Sequence, residues 1–207
     1  MNGKIRKREE MMEGDMEEGF TLIEAMASLI VLSVLFLVSV GAIGAIKDRS
    51  ASEAVVTTFQ AVSSEARSRA ISETVRYGLV FDDSAGRVTV RLFKDGDGDG
   101  VLRDDIRRGT DRPVSAAEKL GNEGSSIAIP TGVKKDPSGK PLEGQDAIRF
   151  GSGDILTFTP KATATPGTLY IMEGLGDDGW AVRVAGIDGR IRIYRLKNGE
   201  WDEYCRW

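Results

Sequence analysis

From Ala25 to Ile46 the chain carries 22 consecutive residues without a formal charge, and this run limits the possible folds more than any other feature. As an α-helix rising about 1.5 Å per residue it would be roughly 33 Å long, close to the hydrocarbon thickness of a bilayer. Glu24 stands directly before it and Lys47-Asp48-Arg49 directly after. Upstream lie Lys4, Arg6, Lys7 and Arg8, which predict a cytoplasmic N-terminus and put everything beyond Lys47 on the far side of the membrane. The acids Glu9, Glu10, Glu13, Asp15, Glu17 and Glu18 dilute that signal, although acidic residues weigh little in the orientation rule.

Two ordinary readings compete. A secretory signal peptide could be cut after Val40-Gly41-Ala42 or after Ile43-Gly44-Ala45, but the apolar run exceeds the usual length of about 7–15 residues. A plain signal anchor fits the length. Neither accounts for Glu24, because a charge held at the membrane is costly and usually has a partner.

The 207 residues suffice for one domain with its own core plus an appendage. The chain has no histidine and a single cysteine, Cys205. That excludes Ser-His-Asp and Cys-His nucleophiles, zinc held by His and Cys clusters, and an internal disulfide. Cys205 reads as a bystander thiol. No G-x-x-x-x-G-K-[ST] loop is present, so the expectation is a protein that is not an enzyme. The net charge of −4 argues against a general nucleic-acid binder.

Beyond Lys47 the helical pattern continues. Val55, Phe59, Val62 and Ala66 recur on one face, with Gln60, Ser64, Glu65 and Arg67 around them. No Gly/Pro linker intervenes, so one helix is expected from about Phe20 to about Ser72. From Thr74 the texture is that of strands. Val75–Phe81 and Arg87–Phe93 are joined by the turn residues 82–86, and "SSIAIP", "AIRF", "DILTFTP" and "TLYIMEG" follow. The closing "WAVRVAGIDGRIRIYRL" reads as a hairpin turning at Asp188-Gly189, a dipeptide suited to a type I′ turn. In it Val182, Val184, Ile191 and Ile193 alternate with arginines, predicting one core face and one solvent face. A helix followed by antiparallel strands is an α+β pattern.

Gly19-Phe20-Thr21-Leu22-Ile23-Glu24 ahead of the apolar run resembles the class III signal of type IV pilins and type II secretion pseudopilins. The resemblance implies a prepilin peptidase that cuts between Gly19 and Phe20 and N-methylates Phe20. It makes Glu24 an assembly residue, the carboxylate that pairs with the Phe20 ammonium of a neighbouring subunit. Residues 1–19 would be a leader, 20–46 the transmembrane half of a long helix, 47–73 its amphipathic half, and 74–207 a periplasmic antiparallel β domain. Two features depart from the family pattern. The leader is long and acidic, which leaves Met11, Met12 and Met16 as alternatives to Met1 for the start, and Gly41 stands where major pilins often carry proline.

The segments "VRLFKDGDGDGVLRDD", "DILTFTPKATATPGTLYI" and "VAGIDGRIRIY" are similar to the H-type branch of the pseudopilins, shared with minor type IV pilins. That branch implies a long helix laid against two antiparallel sheets. It also implies a single-pass inner-membrane protein built into a periplasmic fibre, with other pseudopilins or pilins as partners. A type II secretion pseudopilus is the first expectation and a minor type IV pilus subunit the alternative.

Two further constellations stay open. "DGDGDGVLRDD" matches the first half of an EF-hand loop: Asp95, Asp97 and Asp99 as carboxylate ligands, Gly100 at the sharp turn, Val101 through its carbonyl. The twelfth position is Ile106 rather than an acid, and Asp104 or Asp105 could replace it only along a different loop path. Calcium is the one cofactor implied; the alternative is an acidic surface turn. Likewise Arg190, Arg192, Arg195, Lys197 and Arg206, with Tyr194, Trp201 and Trp207, form either a nucleic-acid surface or a solvated strand face.

Overall fold

The structure, a computed structural model, describes residues 21–84, 87–121, 124–174 and 176–204, with 38–46 as backbone alone. Two compact units make up the chain, Met1–Ile43 and Gly44–Trp207. Helix α1 runs Leu22–Glu73 through both, close to the bounds expected from its pattern. In the first unit the described part of α1 is apolar and exposed.

The second unit is the α+β domain. The strands after the helix are β1 (Tyr77–Ser84), β2 (Arg87–Lys94), then the short helix α2 (Arg103–Arg108), β3 (Arg112–Pro113), β4 (Glu118–Leu120), β5 (Ser125–Ser126) and β6 (Ile148–Phe150). They continue with β7 (Ile155–Phe158), β8 (Gly167–Glu173), β9 (Gly179–Val184), β10 (Ile191–Lys197) and β11 (Glu200–Glu203). Two antiparallel sheets result. One has the order β3-β2-β1-β7, with β4 also on β2; the other has β11-β10-β9-β8-β5, with β6 also on β8.

The strand period of two puts Tyr77, Leu79 and Phe81 of β1 and Val88, Val90 and Leu92 of β2 on one face. They share a core with Leu169 and Ile171 of β8, with Trp180, Val182 and Val184 of β9, and with Val55, Val56, Phe59, Ala66 and Ala70 of α1. The rings of Phe59, Phe81 and Phe150 stack at centroid distances of 6.2, 6.0 and 5.5 Å, joining the helix to both sheets. The anticipated helix face is therefore the buried one, with Val62 at its margin.

Three details differ from expectation. The first hairpin stays paired to Ser84↔Arg87, so the residues read as a turn largely extend β1. At the Asp188-Gly189 corner only Gly189 has a positive φ, +60°. Ala185 N–H bonds to Arg190 O and Gly189 N–H to Ala185 O, which makes a wider connection than a two-residue turn. The two-residue turn lies instead at Asn198-Gly199, φ 52° and 80°, between β10 and β11. Asn-Gly is the preferred pair for that geometry.

The expected solvent face of the last hairpin is also partly covered. Tyr170 and Ala181 on the outer side of their sheet pack with Ile127, Ile129, Leu142, Tyr194 and Trp201. The segment 127–142 lies over that face, held by Trp201 Nε1–H donating to Lys135 O at 2.9 Å. On the other sheet Val80, Phe93 and Ile155 are covered by Val101 and Ile106. The acidic segment thus forms the outer cover of β1, β2 and β7 rather than a free loop.

Candidate functional site

Gly19 and Phe20 lie outside the described residues. The helix start just beyond them is described. Thr21 caps it: Glu24 N–H approaches Thr21 Oγ1 at 3.3 Å and Thr21 O at 3.1 Å, with Ala25 N–H also on Thr21 O at 3.1 Å. The spacing Thr-x-x-Glu is that of a capping box. Glu24 itself is exposed, and so are the apolar side chains that follow, from Leu22 at 82% and Ile23 at 77% to Phe36 at 69% and Leu37 at 73%. They occupy successive positions such as 29–32 and 34–37, so they face every direction around the axis. Among the described residues no helix is long and apolar enough to cross a membrane.

The acidic loop is built around Asp95 and Asp111, both buried. Asp95 Oδ1 accepts from the N–H of Asp97 at 3.2 Å and of Gly98 at 2.7 Å, and Oδ2 from Gly100 N–H at 2.9 Å. Asp111 draws the two ends of the loop together, Oδ1 accepting from Gly96 N–H at 3.0 Å and Oδ2 from Leu102 N–H at 2.9 Å. Two glycines are required for this path. A Cβ on Gly96 would meet Thr110 O at 2.1 Å, and Gly100 sits at φ +116°, which side chains rarely adopt.

One carboxylate oxygen each from Asp95, Asp97 and Asp99 lies within 4.8 Å of the others. Asp99 is pushed above the ordinary carboxylate range, first by a hydrogen bond shared with Asp97, and further by desolvation and by the charges of Asp97, Asp105 and Asp95. Arg76 stands at the rim, donating to Gly98 O, with its Nη1 3.7 Å from Asp95 Oδ2.

Of the two acids that could stand in for the twelfth ligand, Asp104 is exposed and pairs with Arg107. Asp105 is 1% exposed; its Oδ1 pairs with Arg108, and its Oδ2 is buried without a hydrogen-bond partner. Ile106, in the twelfth position, packs on Val80, Phe93, Val101 and Ile155. Asp111 and Arg76 are not part of the sequence motif, and Asp111 lies beyond the spacing of any EF-hand loop.

The basic constellation is not brought together. Alternation along β10 places Arg192 and Tyr194 on one face and Arg195 and Lys197 on the other. Arg195 is 7% exposed, so it belongs neither to a nucleic-acid surface nor to a solvated strand face. Its guanidinium lies 4.9 Å from the centre of the Trp180 ring, with Nη2 3.5 Å from Glu173 Oε2 and Nη1 4.0 Å from Glu53 Oε1. Trp180 Nε1–H donates to Ser52 Oγ at 3.1 Å, and Ser52 Oγ–H is shared between Arg49 O at 2.9 Å and Glu173 Oε2 at 3.3 Å. This network ties the helix to β8, β9 and β10. Nothing in a one-dimensional pattern separates an inward arginine from its outward neighbours. Arg206 and Trp207 lie outside the described residues.

No family model matches the chain, and no curated protein does. Among solved structures it is similar to the minor pseudopilin EpsH from the Type 2 Secretion System of Vibrio cholerae, at 19% identity and a TM-score of 0.43, over 73% of this chain and 99% of that one. That protein is a minor pseudopilin, the family the sequence resembles. At this distance the likeness argues nothing about what the chain does, and the functional reading rests on the residues.

Proposed function

We propose that the chain is a structural subunit of a pilin-like fibre, a minor pseudopilin of the H-type branch, which acts as a building block rather than as an enzyme. In this reading a prepilin peptidase removes residues 1–19 and methylates Phe20. The helix from Phe20 to Ile46 anchors the subunit in the inner membrane, and the β domain stands in the periplasm. Other pseudopilins are its partners.

The observation that carries the reading is the start of α1. Apolar side chains are exposed in every direction from Leu22 to Leu37, and Glu24 opens the run. A helix apolar all round requires apolar surroundings, whether lipid or neighbouring helices. A carboxylate at its mouth is tolerated there when a positive charge meets it. A cut between Gly19 and Phe20 creates such a charge, the α-ammonium of Phe20, and assembly in register brings a neighbour's ammonium to Glu24.

Mass spectrometry of protein from the native host tests the proposal. The expected N-terminus is N-methylated Phe20. A terminus at Ile43 or Ile46 would establish a conventional signal peptide and overturn it.

A further inference from the structure

We propose that Ile187 is a docking knob that inserts into a pocket on the outer face of β1 and β2 of a second copy of the chain, in a head-to-tail contact. The second copy as occupant rests on the fibre reading above; the knob and the pocket rest on their own geometry.

Ile187 is 91% exposed, against 47% for Ile71 and 45% for Leu102. A lone exposed isoleucine is ordinary, but this one stands on a loop fixed from several sides. Ala185 N–H donates to Arg190 O at 2.9 Å, Gly189 N–H to Ala185 O at 3.0 Å and Ala164 N–H to Gly186 O at 2.9 Å. Asp188 Oδ1 accepts from Arg190 N–H at 3.1 Å, while its Oδ2 pairs with Arg190 Nε at 3.0 Å. A Cβ on Gly186 would stand 3.3 Å from Ala164 O, and one on Gly189 2.9 Å from Ala162 O, so the loop lies hard against 162–164. A loop held in place before it binds gives up little freedom on binding.

The pocket, about 600 Å³, opens between α2 and the residues leading into β4. Val80, Phe93, Ile106 and Ala117 give it apolar walls, and the exposed Asp82 and Arg91 line it too. Its other arginines are engaged: Arg103 donates to Phe81 O and Gly153 O, and Arg107 pairs with Asp104. Among the described residues the Arg91 guanidinium makes no hydrogen bond or ion pair. An apolar knob flanked by Asp188 and Arg190 thus matches an apolar pocket flanked by Arg91 and Asp82, with opposite charges available to both pairs.

Knob and pocket occupy different parts of the domain. Gly189 lies against the Phe158 ring, and Phe158 pairs with Tyr77 at the start of β1. Asp82 and Thr89, which line the pocket, pair with each other near the turn of the first hairpin. Five residues of strand, roughly 17 Å, separate the two along β1. The fixed loop cannot reach the pocket of its own molecule. A contact between unlike patches repeats from copy to copy, as an open filament requires.

Photocross-linking tests the contact, with p-benzoylphenylalanine in place of Ile187 in the full chain in native membranes. The expected product is a dimer of the chain, with the label attached within residues 80–117 of the second copy. Arg91→Glu should lower its yield by about tenfold or more. Ile187 and Arg91 are exposed, so both changes leave the fold intact, which an unchanged Tm verifies. The N-terminus of the same sample reports on the fibre reading separately: N-methylated Phe20 without the dimer overturns the contact and leaves that reading standing. A yield no greater than from the same label at the exposed Ser138, attachment outside 80–117, cross-linking only to a different protein, or a yield unmoved by Arg91→Glu would each overturn the proposal.

Discussion

Replacing Glu24 distinguishes assembly from local helix capping, because the structure shows what capping alone would lose. The cap bond at 3.3 Å runs from the backbone N–H of residue 24 to Thr21 Oγ1. Glu24→Leu and Glu24→Gln both keep that N–H. Gln also keeps the hydrogen-bonding reach of a capping box. If capping were the whole role, both variants would cost less than about 1 kcal/mol, the scale of an exposed interaction. If the carboxylate meets a neighbour's Phe20 ammonium inside the fibre, either variant leaves that ammonium buried and unpaired, at a cost of about 3–5 kcal/mol. At about 1.4 kcal/mol per tenfold, incorporation falls by two orders of magnitude or more. Glu24→Leu makes the segment more apolar, so membrane insertion is retained or improved. The assay is subunit cross-linking in native membranes, with N-terminal processing followed in parallel. Processed, membrane-inserted protein that no longer cross-links is expected for both variants. Wild-type cross-linking in Glu24→Gln would show that the charge does not organise the fibre and would refute the pairing argument.

Arg195→Ala should destabilise the β domain by about 3 kcal/mol, since it takes the guanidinium from the Trp180 ring and leaves Glu173 with Ser52 Oγ alone, while Glu53 keeps Arg49; a fall in Tm of about 6 °C or more is expected, and a shift within about 2 °C would show the network to be dispensable. Glu73 is held below the ordinary glutamate range by its hydrogen bond from Lys94, then by that from Tyr77. Its folded form therefore binds its proton less readily than the unfolded chain does, so its contribution is present above the ordinary glutamate range and is lost as pH falls through the depressed value. Melting of wild type and Glu73→Gln should differ at neutral pH and converge in acid; curves that stay parallel throughout would contradict this.

The helix and the first strands are legible in the sequence because both are written in periodicities. Val55, Phe59 and Ala66 repeat with the helical period, and Tyr77, Leu79 and Phe81 with the period of a strand, so burial follows from spacing. The outer faces are not legible. Whether Ala181 and Tyr170 face water depends on where residues 127–142 travel, and that segment follows its course through turns and an isolated bridge, Lys135↔Pro141, rather than a named strand. Arg195 looks like its neighbours for the same reason. Its inward face is set by register with β9, and its tolerance there by Glu173, Glu53 and Trp180, of which Glu53 lies on the far-upstream helix. The Asn198-Gly199 turn, by contrast, is fully encoded in its dipeptide, and Asp188-Gly189 competes with it as an equally good local signal.

The acidic segment matches the first half of an EF-hand loop and departs from it at the twelfth position. Counting twelve positions from Asp95 arrives at Ile106, where an apolar residue argues against a ligand. That count assumes a helix that continues away from the loop. Here the chain turns back over β1 and β2, and the segment needs an apolar residue toward the sheet. Ile106 meets Val80, Phe93 and Ile155, while Asp105 keeps a buried oxygen without a partner. Removing the anchor Ile106 should therefore loosen the cover over Val80, Phe93 and Ile155.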